Sequence, residues 1–199
     1  PQGYLVDAGA DLIVPNGRAT PRVYSRKNGD FRRELGSGTG TLAVVSDNET
    51  FTGPGATGAI TSGSTVNPPT STRQTSKIVS YPGRNLAVTP TTSYLVNERE
   101  ILAVDRERLR TSKGDLVQAT RWKRATYGAG PLIVAGSHVF LGVSNTVQVL
   151  RADNGEPGPT LTVDGPVFAL AADDRTLAVS TTRGRITTFI PREAGPSSP

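Results

Sequence analysis

An all-β fold built from a repeated antiparallel unit is what this sequence predicts, and three observations predict it. Short strand-forming cores recur as LIV (12–14), TFT (50–52), YLV (94–96), VFL (139–141) and LAV (177–179), and their first residues are spaced by 38, 44, 45 and 38. Each core is flanked by a second apolar run before it and a third after it. Glycine (22) and proline (15) punctuate the chain from end to end, as a fold of many short strands and turns requires.

The elements follow in order. The preceding runs are YLV (4–6), TLAVV (41–45), NLAV (85–88), PLIV (131–134) and VFAL (167–170), and the following ones are RVY (22–24), GAI (58–60), ILAV (101–104), VQVL (147–150) and RITTF (185–189). Between the first and second members lie AGAD (8–11), SDNE (46–49), TPTTS (89–93), AGSH (135–138) and ADDR (172–175). These segments supply Gly, Asn, Asp or Pro for hairpin dihedrals. Three units add a fourth, outer strand: DFRREL (30–35), DLVQATRW (115–122) and GPTLTV (158–163). The corners leading into them, SRKNG, DRERLRTSKG and RADNG, place Gly29, Gly114 and Gly155 where a positive φ is needed.

A period near 40 residues with four antiparallel strands per unit predicts a β-propeller, partial or five-bladed. One small twisted sheet cannot bury both of its faces, so the units stack face to face, and inner strands such as PLIV are apolar on both sides. The predicted domain is 1–190, with units at 1–36, 37–84, 85–128, 129–164 and 165–190, followed by a linker-like tail at 191–199. EREILAVDRERLR (98–110) also reads as an amphipathic helix, but the repeat register favours a strand at 101–104. The low-charge stretch 53–77 reads as a weakly structured second unit with a long loop across 62–76.

The corner pattern, an apolar strand leading into Asp-x-x-x-Gly and an outer strand, resembles the pyrroloquinoline-quinone-like (PQQ-like, WD40-like) β-propeller repeat, in a divergent bacterial form. REILAVDRERLRTSKGDL keeps Ala103, Val104, Asp105 and Gly114 with four extra residues in the turn. NTVQVLRADNGEP keeps Val149, Leu150 and Gly155 with Arg151 in the Asp place, and PRVYSRKNGDF keeps Val23, Tyr24 and Gly29 with Ser25 there. The blade-closing tryptophan of the family survives once, as Trp122, eight residues after Gly114. The resemblance implies an exported, extracytoplasmic bacterial protein. Active relatives hold a quinone and a calcium ion with carboxylates, an Asn and a vicinal cysteine pair; this chain has no cysteine.

Chemistry is sparse. The net charge of +5 comes from 18 Arg and 4 Lys against 17 acids, but the signs interleave, as in NEREILAVDRERLRTSKGD, and the densest basic run, RWKR (121–124), is short. Nucleic acid is therefore not an expected partner. No catalytic residue, metal site or cofactor is expected. His138, the single histidine, sits in a turn with no G-x-S-x-G partner. GSGTGT (36–41) and GPGATGAIT (53–61) lack the Lys of a phosphate loop, since Ala59 and Ile60 stand where Lys and Ser/Thr are required. Asn48 begins an NET acceptor tripeptide that reads as a turn.

The rim loop VPNGRATP looks longer than its counterparts, which makes Asn16 and Arg18 the binding candidates. The expected function is a non-catalytic scaffold for protein partners. The alternative is a fragment of a quinoprotein dehydrogenase-like enzyme whose active centre is missing or degenerate, and a weaker third reading is polyanion or carbohydrate binding. No apolar run reaches the ~18 residues of a membrane helix, and the absence of Met and of a leader at the start reads as a segment of a longer polypeptide.

Overall fold

Alternate residues of single strands feed different cores, and this determines the architecture. In the computed structural model, which describes residues 3–35, 39–46, 49–54, 59–64 and 79–190, Leu95 packs with Phe51, Ile60 and Leu86 on one side of its sheet. Its neighbours Tyr94 and Val96 pack with Leu132, Val139 and Leu141 on the other side. A strand with both faces buried needs a sheet on each side, and stacking supplies it.

Five antiparallel meanders result. Blade 1 holds β1 (Val6–Ala8), β2 (Asp11–Asn16), β3 (Ala19–Ser25) and β4 (Phe31–Glu34). Blade 2 holds β5 (Leu42–Ser46), β6 (Glu49–Gly53), β7 (Ala59–Ser64) and β8 (Val79–Pro82). Blade 3 holds β9 (Asn85–Val88), β10 (Thr92–Val96), β11 (Glu100–Asp105), the helices α1 (Arg106–Thr111) and α2 (Leu116–Ala119), and β12 (Thr120–Ala125). Blade 4 holds β13 (Leu132–Ala135), β14 (His138–Val143), β15 (Thr146–Arg151) and β16 (Pro157–Thr162). Blade 5 has three strands, β17 (Val167–Ala172), β18 (Leu177–Thr181) and β19 (Ile186–Phe189).

The first strands pack in sequence, β1 on β5, β5 on β9, β9 on β13 and β13 on β17. No comparable packing joins β17 to β1 among the described residues. The blades form an arc of a β-propeller. A separate apolar cluster fills each gap: Ile13, Val23, Leu35 and Ala43 between blades 1 and 2, and Val147, Val163, Leu177 and Val179 between blades 4 and 5.

Several expectations change. The stretch 115–122 is not one outer strand: Asp115 caps α2, accepting from the backbone N–H groups of Val117 and Gln118, and only from Thr120 does the chain pair with β11. The helical propensity around 98–110 is expressed only beyond the strand, because Ile101, Ala103 and Val104 are fully buried in the sheet and the helix starts at Arg106. Blade 2 gains a fourth strand, β8, paired to β7; the sequence reading missed it because a long polar stretch separates the two. Residues 62–64 belong to β7 rather than to a loop, and the remainder of the proposed loop, Asp47 and Asn48, residues 36–38 and 55–58, and the tail 191–199 lie outside the described residues.

Candidate interaction face

In a four-strand meander the turns between first and second strands and between third and fourth strands share one end of the sheet, called here the corner end. The recurring corner is a single hydrogen-bonded device. In blade 1 the Gly29 N–H donates to the Ser25 carbonyl at 2.8 Å and the Ser25 N–H to the Asp30 carbonyl at 2.7 Å. In blade 4 the Gly155 N–H donates to the Arg151 carbonyl at 2.9 Å and the Arg151 N–H to the Glu156 carbonyl at 2.8 Å. The glycines take φ of 76° and 71°, and Gly114 takes 92°, the left-handed region that side chains disfavour.

Blade 3 elaborates this corner. Asp105 caps α1 by accepting from the Arg108 N–H at 2.9 Å, and it pairs with Arg121 at 2.8 Å. Leu109 and Ala119 are buried and join the cluster of Phe51, Ile60 and Leu95, so the insert is anchored to the sheet core. Its exposed residues include Glu107, Arg108, Arg110, Lys113 and Gln118 together with Val117, which is 88% exposed. A single exposed apolar side chain is ordinary on a protein surface; what sets Val117 apart is its place on a helical insert where blades 1 and 4 have only a short turn.

The Asp105 carboxyl is held below its ordinary pKa, chiefly by the Arg108 N–H and then by the Arg121 guanidinium. Its stabilisation of α1 is complete above the unfolded value of about 4 and is lost as pH falls through the lower folded value. Protection of the Arg108 amide, taken relative to its intrinsic exchange rate at each pH, should therefore fall below about pH 4. Asp105→Asn, which preserves a cap acceptor, should flatten that dependence, and Asp105→Ala should cost about 1 kcal/mol above about pH 4 and progressively less below it. Protection that stays constant across this range in the parent protein would remove Asp105 from this role.

Two side chains lock the corner end across blade boundaries. The Trp122 indole N–H donates to the Ala152 carbonyl at 3.0 Å, the same oxygen that accepts from the Tyr94 hydroxyl at 3.0 Å. Burial pushes the Tyr94 phenol above its ordinary pKa, which keeps that donor protonated. A Cβ on Gly155 would lie 2.6 Å from the Trp122 ring, so this corner needs glycine for ring clearance as well as for φ. The second lock is Arg106, 4% exposed. Its guanidinium donates to Glu49 Oε2 (2.6 and 3.2 Å), Ser46 Oγ (2.9 Å) and the carbonyls of Thr89 (2.8 Å) and Pro90 (3.2 Å), and it lies 5.7 Å from the Phe51 ring centroid. Sequence reading did not single out Arg106, because nothing in DRERLR distinguishes it from Arg108 or Arg110.

The candidates Asn16 and Arg18 lie at the opposite end. VPNGRATP is not a long loop: β2 runs to Asn16, β3 begins at Ala19, and Gly17 at φ 64° opens a two-residue hairpin, the geometry of a type II′ turn. Asn16 donates to the Thr20 carbonyl at 3.2 Å, and Arg18 is exposed. His138 is exposed beside Ser137, with Nδ1 3.3 Å from the hydroxyl. Among the described residues no three His, Cys, Asp or Glu side chains are grouped to hold a metal ion, and no helix is long and apolar enough to cross a membrane.

No protein-family model matches the chain, and no curated protein matches it in sequence. Solved structures do match. The structure of BamB from Moraxella catarrhalis superposes with a TM-score of 0.69 over 95% of this chain and 58% of that one, at 11% identity. The computationally designed Ika8 protein superposes with a TM-score of 0.67 over 94% of this chain and 57% of that one, at 14% identity. The chain thus spans under three fifths of either length, and at these identities the likeness is one of fold.

Proposed function

We propose that the chain is a non-catalytic interaction scaffold of the PQQ-like repeat type, from an exported bacterial protein, and that it engages a partner protein on the corner face of blade 3. The observation that carries this reading is the insert itself. Where blades 1 and 4 close the corner with a short turn, blade 3 holds two capped helices on a buried Leu109 and Ala119 and turns Val117 and a mixed-charge rim outward. A rigid insert that adds exposed charged side chains and one exposed apolar one to a face where the other blades have short turns offers a partner a surface they lack. The repeat resemblance supports the family and the extracytoplasmic setting, and the likeness to BamB supports the propeller fold. Asn16 and Arg18, on the opposite end, are a secondary contact in the same reading.

A photo-crosslinking residue at position 117, in the protein expressed in a bacterial cell envelope, tests this. The expected result is one discrete protein adduct that Arg108→Glu with Arg110→Glu removes, and no such adduct from position 127, whose Tyr is 90% exposed at the other end. Equal or absent labelling at 117 would overturn the reading. The degenerate dehydrogenase alternative predicts residual quinone binding without turnover, seen as saturable quenching of Trp122 fluorescence by pyrroloquinoline quinone with Ca²⁺. The scaffold reading predicts no such quenching.

A further inference from the structure

Asn-Gly occurs at 16–17, 28–29 and 154–155, and we propose that the fold leaves one of these pairs, Asn28–Gly29, open to spontaneous covalent modification while it shields the other two. In the native protein Asn28 is converted to a mixture of aspartate and isoaspartate at the corner of blade 1.

The reaction needs only water and the two residues, and asparagine is among the thermolabile residue types. The Gly29 backbone nitrogen gives up its proton to solvent and attacks Asn28 Cγ; glycine has no Cβ to hinder the approach. A bond forms between that nitrogen and Cγ, the Cγ–Nδ2 bond breaks, and Nδ2 takes a proton and leaves as ammonia. The product is a cyclic imide. Water then opens it in one of two ways. Breaking the new nitrogen–Cγ bond restores the main chain and leaves aspartate. Breaking the bond from nitrogen to the main-chain carbonyl carbon leaves isoaspartate, with the chain routed through Cβ and Cγ. One water is consumed and one ammonia released.

The three pairs differ in what holds the attacking nitrogen. Each glycine N–H is bonded, Gly29 to the Ser25 carbonyl at 2.8 Å, Gly155 to Arg151 at 2.9 Å and Gly17 to Gly40 at 3.1 Å. That bond must open first, and the cost of opening depends on what packs against it. Asn28 and Gly29 are both exposed, and a Cβ on Gly29 would meet nothing within 4 Å. Among the described residues only Asp30 holds the Asn28 side chain: Nδ2 donates to its carboxylate at 2.5 Å, and Oδ1 accepts from its N–H at a long 3.4 Å.

Gly155 makes the same corner but is buried. A Cβ there would lie 2.6 Å from the Trp122 ring, the Gly155 carbonyl accepts from Arg124 Nε at 3.0 Å, and Asn154 Oδ1 accepts from the Glu156 N–H at 2.9 Å. Opening this corner unseats the junction of blades 3 and 4. Gly17 is tied twice, since the Gly40 N–H donates back to it at 2.5 Å, and Asn16 is half-buried with its amide on the Thr20 carbonyl. Opening it releases the chain that leads into blade 2.

Isoaspartate adds an atom to the main chain between Ser25 and Asp30, so the two backbone bonds that close the blade 1 corner cannot both be kept. Either product replaces the amide that donates to Asp30 with a second carboxylate. The corner before β4 is therefore the first part of the molecule to change as it ages.

The test incubates the whole chain in mildly alkaline buffer, native and in guanidinium chloride, and follows the three peptides by mass spectrometry, with isoaspartate scored by enzymatic methylation. In denaturant the three asparagines should convert at similar rates. In the native protein Asn28 should convert at least about tenfold faster than Asn16 or Asn154, because only its glycine amide opens without a blade junction. Trp122→Ala should accelerate Asn154 and leave Asn28 unchanged; the ranking in the parent protein stands by itself if that variant does not fold. Asn16 or Asn154 keeping pace with Asn28 in the native protein would overturn the proposal. So would an Asn28 that converts only in denaturant, or an Asn154 that stays slow in a folded Trp122→Ala.

Discussion

Replacing Trp122 with alanine should remove about 3–5 kcal/mol of stability, out of the 5–15 kcal/mol that a domain typically has. The indole is 8% exposed, its ring centroid is 5.9 Å from that of Tyr94, and its N–H bonds to Ala152 across the blade boundary. Truncation opens a cavity at the junction of blades 3 and 4. Because the inter-blade packing among the described residues joins blades that follow one another in the chain, the loss falls on one interface, and such arrays lose cooperativity at their weakest link. Urea unfolding followed by circular dichroism should show an earlier transition split into two steps. Trp122→Phe fills most of the volume and should cost much less, about 1 kcal/mol for the missing donor beyond the lost area. A single, unshifted transition in Trp122→Ala would show that the junction does not depend on this side chain.

Replacing Arg106 with methionine should cost about 2–4 kcal/mol. The methionine occupies much of the same space, so the loss is mainly electrostatic and hydrogen-bonding. The Glu49 side chain, 24% exposed, is left without its bidentate partner, and the Thr89 and Pro90 carbonyls lose a donor. Arg106→Lys should recover only part of the loss, since an ammonium cannot reproduce the planar fork. Arg106→Met with Glu49→Gln should be more stable than the sum of the single losses, by about 1 kcal/mol or more, because no unpaired carboxylate remains. Strict additivity in that cycle would mean that the two groups are not coupled.

Both locks lie at the corner end, and they explain what the recurring corner does. Its glycine shapes the turn, and in blade 4 the turn is also the seat for the preceding blade's tryptophan. The positive φ at Gly29 and Gly155 could be read from spacing, because a turn closing onto an antiparallel strand needs it at those offsets; Gly114 also has it, but at the end of α1, where its N–H donates to the Leu109 carbonyl before α2 begins. That Gly155 also makes room for Trp122 could not, because the two residues meet only once blades 3 and 4 have stacked.

By itself the sequence determined the repeating antiparallel unit, the inner strands and the hairpin turns, since these rest on period-2 patterning and local turn chemistry that act over a few residues. It also determined the lack of a thiolate centre, because that needs residue types the chain does not have. The tertiary structure decided the rest. Packing of Leu109 and Ala119 turned an apparent outer strand into an anchored helical insert, and a glycine hairpin tightened what looked like a long rim loop around Asn16 and Arg18. Stacking buried one arginine of DRERLR and left its neighbours in water. Each of these depends on contacts between residues far apart in the chain, where local pattern carries no information.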